Sequence, residues 1–211
     1  PFYILETHLY SDYMENFGKK HVKSIPFWSI DANGKHAKMR RICTIEYKIE
    51  MINRFVRYKL LGYRYRQHIK DVDRSAHEMH LGFSAEESKR AFESKNAMFV
   101  NRYPLIDMGL TRADNYKYIL EVWGLNTKAS ACCFCPFHKN YFFQYIKENH
   151  PKTYSTVVAF DQLLEERQKD TAIRSKIYIS RSRKRIADLL PEECNDARTF
   201  PYKDQQIWNG F

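Results

Sequence analysis

The chain has 211 residues, 44% hydrophobic and 28% charged, and carries a formal charge of +10 from 35 Lys and Arg against 25 Asp and Glu. That balance supports a buried core and excludes an intrinsically disordered chain. No apolar run approaches the roughly 18 residues of a membrane-spanning helix, and no signal peptide opens the chain, so a cytoplasmic protein with no membrane partner is expected.

In chain order, residues 1–7 read as a strand and 8–22 as helical or irregular. Asn33-Gly34 marks a turn. Ile49, Ile52, Phe55, Val56 and Leu60 recur at helical spacing, and Gly62 can end that helix. His77 to Gly82 reads as a short strand. Ser84 and Glu87 form a capping box for a helix through about Phe92, and Ala97 to Val100 reads as a further strand. Thr111 and Asp114 cap a helix that ends near Gly124. A cysteine-rich loop precedes a helix over 140–149, and Pro151 starts another that runs through Arg167. Strands and helices alternate, which predicts an α/β fold. No Pro-, Gly- or Ser-rich linker interrupts the chain, so it reads as one domain over 1–211, with a basic and aromatic tail over 174–211.

The five cysteines do not resemble a secreted disulfide framework, because three cluster in Cys132-Cys133-Phe134-Cys135. Two Cys three positions apart in a turn can present both sulfurs to one metal. Cys43, between Arg40-Arg41 and Lys48, is the best third ligand. The fourth position is open to Cys133, His138, Cys194, a water or a substrate. Thiolates suit both zinc and iron–sulfur centres. His77-x-x-His80 is a weak alternative, since a strand would turn the two rings to opposite faces. Arg40, Arg41 and Lys48 are candidate anion ligands, with Arg102 and Arg112 as weaker ones, and the helix start at Thr111 could attract an anion. Arg181 to Arg185 reads as a solvated basic face or a loose nucleic-acid contact. The seven Gly are scattered, so no Gly-rich phosphate loop is present.

Five segments occur together in one known family. They are Arg40-Arg41-x-Cys43-Thr44-x-x-Tyr47-Lys48-Ile49, Asn101-Arg102-Tyr103-Pro104-Leu105-Ile106, Leu110-Thr111-Arg112-Ala113-Asp114, Ser130-Ala131-Cys132-x-Phe134-Cys135-Pro136-Phe137-His138 and Ala159-Phe160-Asp161. In this order the chain resembles, from about Ser24 to Arg185, the phosphoadenosine-phosphosulfate (PAPS) reductase-like proteins of the adenine-nucleotide α-hydrolase superfamily. The resemblance implies an incomplete α-hydrolase-like parallel sheet with a cysteine-rich helical C-terminal half. It also implies an enzyme acting on an adenine nucleotide or a nucleotide-activated substrate.

In cluster-bearing sulfonucleotide reductases a Cys-Cys pair and a later C-x-x-C hold a 4Fe-4S cluster. Here Cys43-Thr44 stands at the first pair and Cys132-x-x-Cys135 matches the second, which leaves three cysteines for a cluster or for zinc. Lys48 aligns with a basic residue that faces the substrate's sulfate or phosphate. The family's S-G-G-x-D phosphate loop is absent, so the chain is expected to be N-terminally truncated. Glu193-Cys194 lacks the Gly and His of the reductases' nucleophile motif. A non-catalytic zinc module binding RNA or DNA is the competing expectation, resting on the charge and on the Tyr63-Arg64-Tyr65-Arg66 run.

Overall fold

The computed structural model describes residues 2–19, 25–68, 77–96, 98–126 and 132–195, together with the backbone of Ala131, Ile207 and Trp208. Helices and short strands are mixed, as an α/β reading requires. The chain nevertheless forms two compact units, 1–53 with 129–211 and 54–128. The first boundary falls inside a helical stretch, which is why no linker marks it in the sequence.

In the first unit, residues 2–8 form no strand, and Phe2 and Ile4 stand exposed. Helix α1 (Leu9–Asn16) follows. Strand β1 (Trp28–Ile30) pairs antiparallel with β2 (His36–Lys38) through a turn in which Asp31 Oδ1 accepts the N–H groups of Asn33 and Lys35. The other edge of β1 pairs antiparallel with β6 (Lys176–Tyr178). A helical stretch then runs through a π-helical turn at Ile45–Ile49 into α2 (Glu50–Phe55), which crosses into the second unit and continues there as a π-helical turn at Val56–Leu60.

Strands β5 (Ala131–Cys132) and β7 (Ile207–Trp208) form a parallel pair. Helices α5 (Asn140–Asn149) and α6 (Pro151–Gln168) pack on each other, and Pro151 opens the second of them where its missing N–H costs no bond. Gly18, at φ +82°, lies so close to α6 that an added Cβ would stand 3.0 Å from the Arg167 carbonyl oxygen.

The core of this unit is aromatic. Phe160 on α6 lies 4.7 Å from Phe134, 5.3 Å from Tyr13 and 6.4 Å from Phe27, ring centre to ring centre. Burying each such ring stabilises the fold by about 1.5–3 kcal/mol. Residues 174–195, expected as the start of a solvated tail, belong to this core: Ile177, Ile179, Ile186 and Cys194 are buried. One ion pair holds the segment in place. Arg185 Nη1 lies 3.1 Å from Asp161 Oδ1, and Asp161 Oδ2 accepts the Ile186 N–H at 2.8 Å. Arg185 also donates to the Ile177 carbonyl and reaches Glu165. The expectation of a solvated Arg181–Arg185 face is therefore corrected at Arg185. Lys184 is likewise engaged, 2.6 Å from Glu193 Oε1. The remainder of the expected tail, apart from the β7 backbone, lies outside the described residues.

In the second unit, β3 (Glu78–His80) pairs parallel with β4 (Val100–Arg102). A 3-10 helix, Ala85–Arg90, stands between them in sequence where Ser84 was expected to cap an α-helix, and Ser84 makes no side-chain cap bond. Short α3 (Pro104–Asp107) leads to α4 (Arg112–Trp123). Helix α4 has the complete Thr111–Asp114 capping box and ends at Gly124, whose φ of +65° suits a residue without Cβ. Among the described residues no parallel sheet exceeds two strands.

Replacing Arg185 by Leu should strand the Asp161 carboxylate in the core and lower unfolding free energy by about 3–5 kcal/mol. The Arg185→Leu/Asp161→Leu pair should recover part of that loss. Urea denaturation of the two variants checks this, and equal losses would show that the buried charge is not what the ion pair answers.

Candidate metal centre

Sequence and packing together shape the cysteine turn. The Cys135 N–H donates to the Cys132 carbonyl at 3.0 Å, and the His138 N–H to the Cys135 carbonyl at 3.2 Å. Two consecutive turns thus fold Cys132–His138 back on itself just before α5. Within them the Phe134 N–H is directed at the Cys132 sulfur and the Phe137 N–H at the Cys135 sulfur. Backbone donors two residues on favour thiolate at both positions.

The turn is pinned from three sides. Phe134 is inserted into the aromatic core, 5.4 Å from Tyr10 and 4.7 Å from Phe160. Trp28 Nε1 on β1 donates to the Pro136 carbonyl at 2.7 Å. The His138 ring stacks on Phe142 at 3.6 Å, and its Nε2–H donates to the Cys132 carbonyl at 2.8 Å.

Cys43 begins the helical stretch that continues through Ile45–Ile49. It lines the same cavity, of about 110 Å³, as Cys132 and Cys135. Arg41 and Lys48 line it too, as do Thr44 and Tyr47 from the same helical stretch. Leu9, Ile25, Pro26, Phe134, Pro136 and Phe137 make most of the remaining wall apolar. Tyr47 is held from behind by a hydrogen bond from its hydroxyl to Asp12 Oδ2 at 3.0 Å.

Burial pushes the Cys132 thiol up to about 11 and raises that of Cys135, while Arg41 and Lys48 pull Cys135 the other way. Without a further cation the pair is therefore protonated at neutral pH. All five cysteines are free.

The other expected site residues fall elsewhere. Arg40 is exposed and does not line the cavity. In the second unit, Arg102 Nε lies 2.7 Å from Glu78 Oε1, and Arg112 Nη2 lies 3.8 Å from Glu87 Oε1. Both cations thus have a carboxylate partner at the surface. The α4 N-terminus, expected to attract an anion, has one: the Arg112 N–H donates to the Glu86 carboxylate at 3.1 Å. His80 pairs with Glu78 at 3.1 Å.

The three candidates for a fourth ligand also have other partners. Cys133 is fully buried in the core. Cys194 donates to the Leu190 carbonyl at 3.4 Å, and His138 is bound as described. None of them lines the cavity. Sequence reasoning passed over Trp28, and named Tyr47 and Phe137 only as members of the family-like segments. Only the cysteine spacing drew attention to this region, and nothing local ties Trp28 to Pro136. Of the motif Ser130 to His138, the first residue lies outside the described ones.

Among the described residues no group of three His, Cys, Asp or Glu is arranged to hold a metal ion as it stands. What the cavity does present is the donor type a thiophilic metal takes: thiols lining one space, N–H groups directed at two of the sulfurs, and nearby cations. Comparison with protein-family models, curated proteins and solved structures finds no match for this chain.

His138 gives a pH signature. Burial pushes its pKa from the usual 6.5 down to about 4, with the Cys132 carbonyl acting in the opposite sense. The unfolded chain therefore binds the proton first as pH falls. The stability tied to neutral His138 is full above pH 6.5 and is lost between there and pH 4, by about 3 kcal/mol. Urea midpoints measured across that range should fall in the wild type and fall less in His138→Gln.

Proposed function

We propose that this chain is part of a PAPS reductase-like enzyme. In this reading Cys43, Cys132 and Cys135 hold a 4Fe-4S cluster or a zinc ion, and Arg41 and Lys48 receive the anionic group of an adenine nucleotide or nucleotide-activated substrate. The observation that carries the reading is that three thiols from two segments distant in sequence and two cations line one small cavity. The order of the five family-like segments supports it. The parallel β3–β4 pair is compatible with an incomplete α-hydrolase-like sheet. A cytoplasmic setting, which keeps thiols reduced, agrees with the five free cysteines.

The residues present define the chemistry they can perform. Lys48 and Arg41 provide charge-assisted donors for a sulfate or phosphate. The Ile25, Pro26, Phe134 and Pro136 wall keeps bulk water from the thiols and strengthens those contacts. Metal uptake would take the protons from Cys132 and Cys135, so affinity should rise with pH. A bound centre would supply Lewis acidity if zinc, or electron-accepting character and charge if a cluster.

Anaerobic purification followed by iron, sulfide and zinc analysis is the test. A brown protein with broad visible absorbance marks a cluster, and a colourless one with stoichiometric zinc marks an ion. Cys43→Ser, Cys132→Ser and Cys135→Ser should each lose metal, whereas Cys194→Ala should keep it. Metal-free protein throughout, or retention in Cys43→Ser, would overturn the assignment. Lys48→Ala should weaken adenine phosphosulfate binding roughly tenfold or more in the complete protein, the effect of about 1.5–3 kcal/mol expected of a charge-assisted contact. Unchanged binding would place Lys48 outside the substrate site.

A further inference from the structure

Beside the cysteine cavity, five side chains from separate segments of the first unit alternate as cation and ring. Arg183 Cζ lies 5.4 Å from the Trp28 ring centre, and Lys38 Nζ lies 5.6 Å from the same centre. Lys38 is also 4.5 Å from the Phe137 ring centre, and Arg41 Cζ is 5.5 Å from it. The row thus runs Arg183, Trp28, Lys38, Phe137, Arg41.

Its position is open. All three residues of β2 are exposed, Arg41 is exposed, and Phe137 is 41% exposed. Among the described residues no carboxylate pairs with Lys38, Arg41 or Arg183, in contrast to Arg102, Arg112, Lys184 and Arg185. The neighbouring sequence Lys35-His36-Ala37-Lys38-Met39-Arg40-Arg41 contains no acidic residue.

We propose that this row binds single-stranded nucleic acid, with phosphates on Lys38, Arg41 and Arg183 and a base against Phe137. Ring contacts hold the cations in place before the ligand arrives, which lowers the ordering cost of binding a polyanion. Cations tracking a backbone beside an exposed aromatic are what a single strand requires, since only unpaired bases offer a free face for stacking. Duplex DNA hides those faces, and a lipid surface would be met by a single exposed ring in the row. The row shares Arg41 and Phe137 with the lining of the cysteine cavity, but the inference does not depend on a metal there. It takes Arg183 from the expected Arg181–Arg185 contact and uses none of the Tyr63–Arg66 run, which belongs to the second unit.

Fluorescence anisotropy of a labelled dodecathymidylate with the whole chain tests the proposal. Three phosphate contacts give a log–log salt slope of about −2, so affinity should fall roughly twentyfold between 50 and 200 mM salt. Lys38→Gln/Arg41→Gln should weaken binding at least roughly tenfold and flatten the slope by about 1.4. Phe137→Leu, which alters no charge, should weaken binding with the slope unchanged. Arg64→Gln/Arg66→Gln should leave affinity within about twofold. Thermal melts of each variant establish that it folds, and Phe137→Leu carries the test if the charge variant does not. The proposal is overturned if the oligonucleotide does not bind at 50 mM salt, or if neither row variant weakens it. It is also overturned if a duplex of equal length, or phosphatidylserine vesicles, binds as tightly.

Discussion

The contact between Phe134 and Phe160 is the constraint on which the rest of the first unit depends. Phe134 lies between Cys133 and Cys135, so its insertion into the core fixes the cysteine turn against α6. The same Phe160 ring meets Tyr10 and Tyr13 of α1 and Phe27 just before β1. One side chain thus ties the helix pair, the small sheet and the thiol-bearing turn to a common centre. A rigid packed interior passes any change in one of these rings to the others, because close-packed side chains have little room to relax.

Charge is distributed around that centre in two ways. At the largely buried Arg185 a carboxylate answers the cation, and the pair is costly to break from one side. Around the cavity mouth Lys48 and Arg41 face thiols that burial holds protonated. The contrast separates charge with a carboxylate partner from charge set beside thiols, a distinction that counting 35 basic residues cannot make.

Local rules were legible in the sequence. Thr111, Asp114 and Gly124 bound α4 through contacts within a turn, and Pro151 opens α6 for a reason contained in its own ring. The cysteine spacing located the turn that faces the cavity. What was not legible depends on residues far apart in the chain. Nothing near Trp28 announces a bond to the Pro136 carbonyl, and the charges of Arg181 to Arg185 hide a segment whose isoleucines enter the core. His138 looked like a ligand because histidine commonly is one, but stacking on Phe142 and the Cys132 carbonyl determine its placement. Nor does anything local announce that Glu78 accompanies Arg102, or that Glu86 and Glu87 accompany Arg112.

These placements bear on the kind of centre three thiols can form. A purely structural zinc site is normally closed by four protein ligands. Here each protein group expected in the fourth position has another role: Cys133 fills the core, Cys194 bonds Leu190, and His138 supports the turn. Recruiting any of them would cost packing or a buried hydrogen bond. Among the described residues no further cysteine and no histidine lines the cavity. Arg41 and Lys48 line that same space, so an anion entering it would meet both cations.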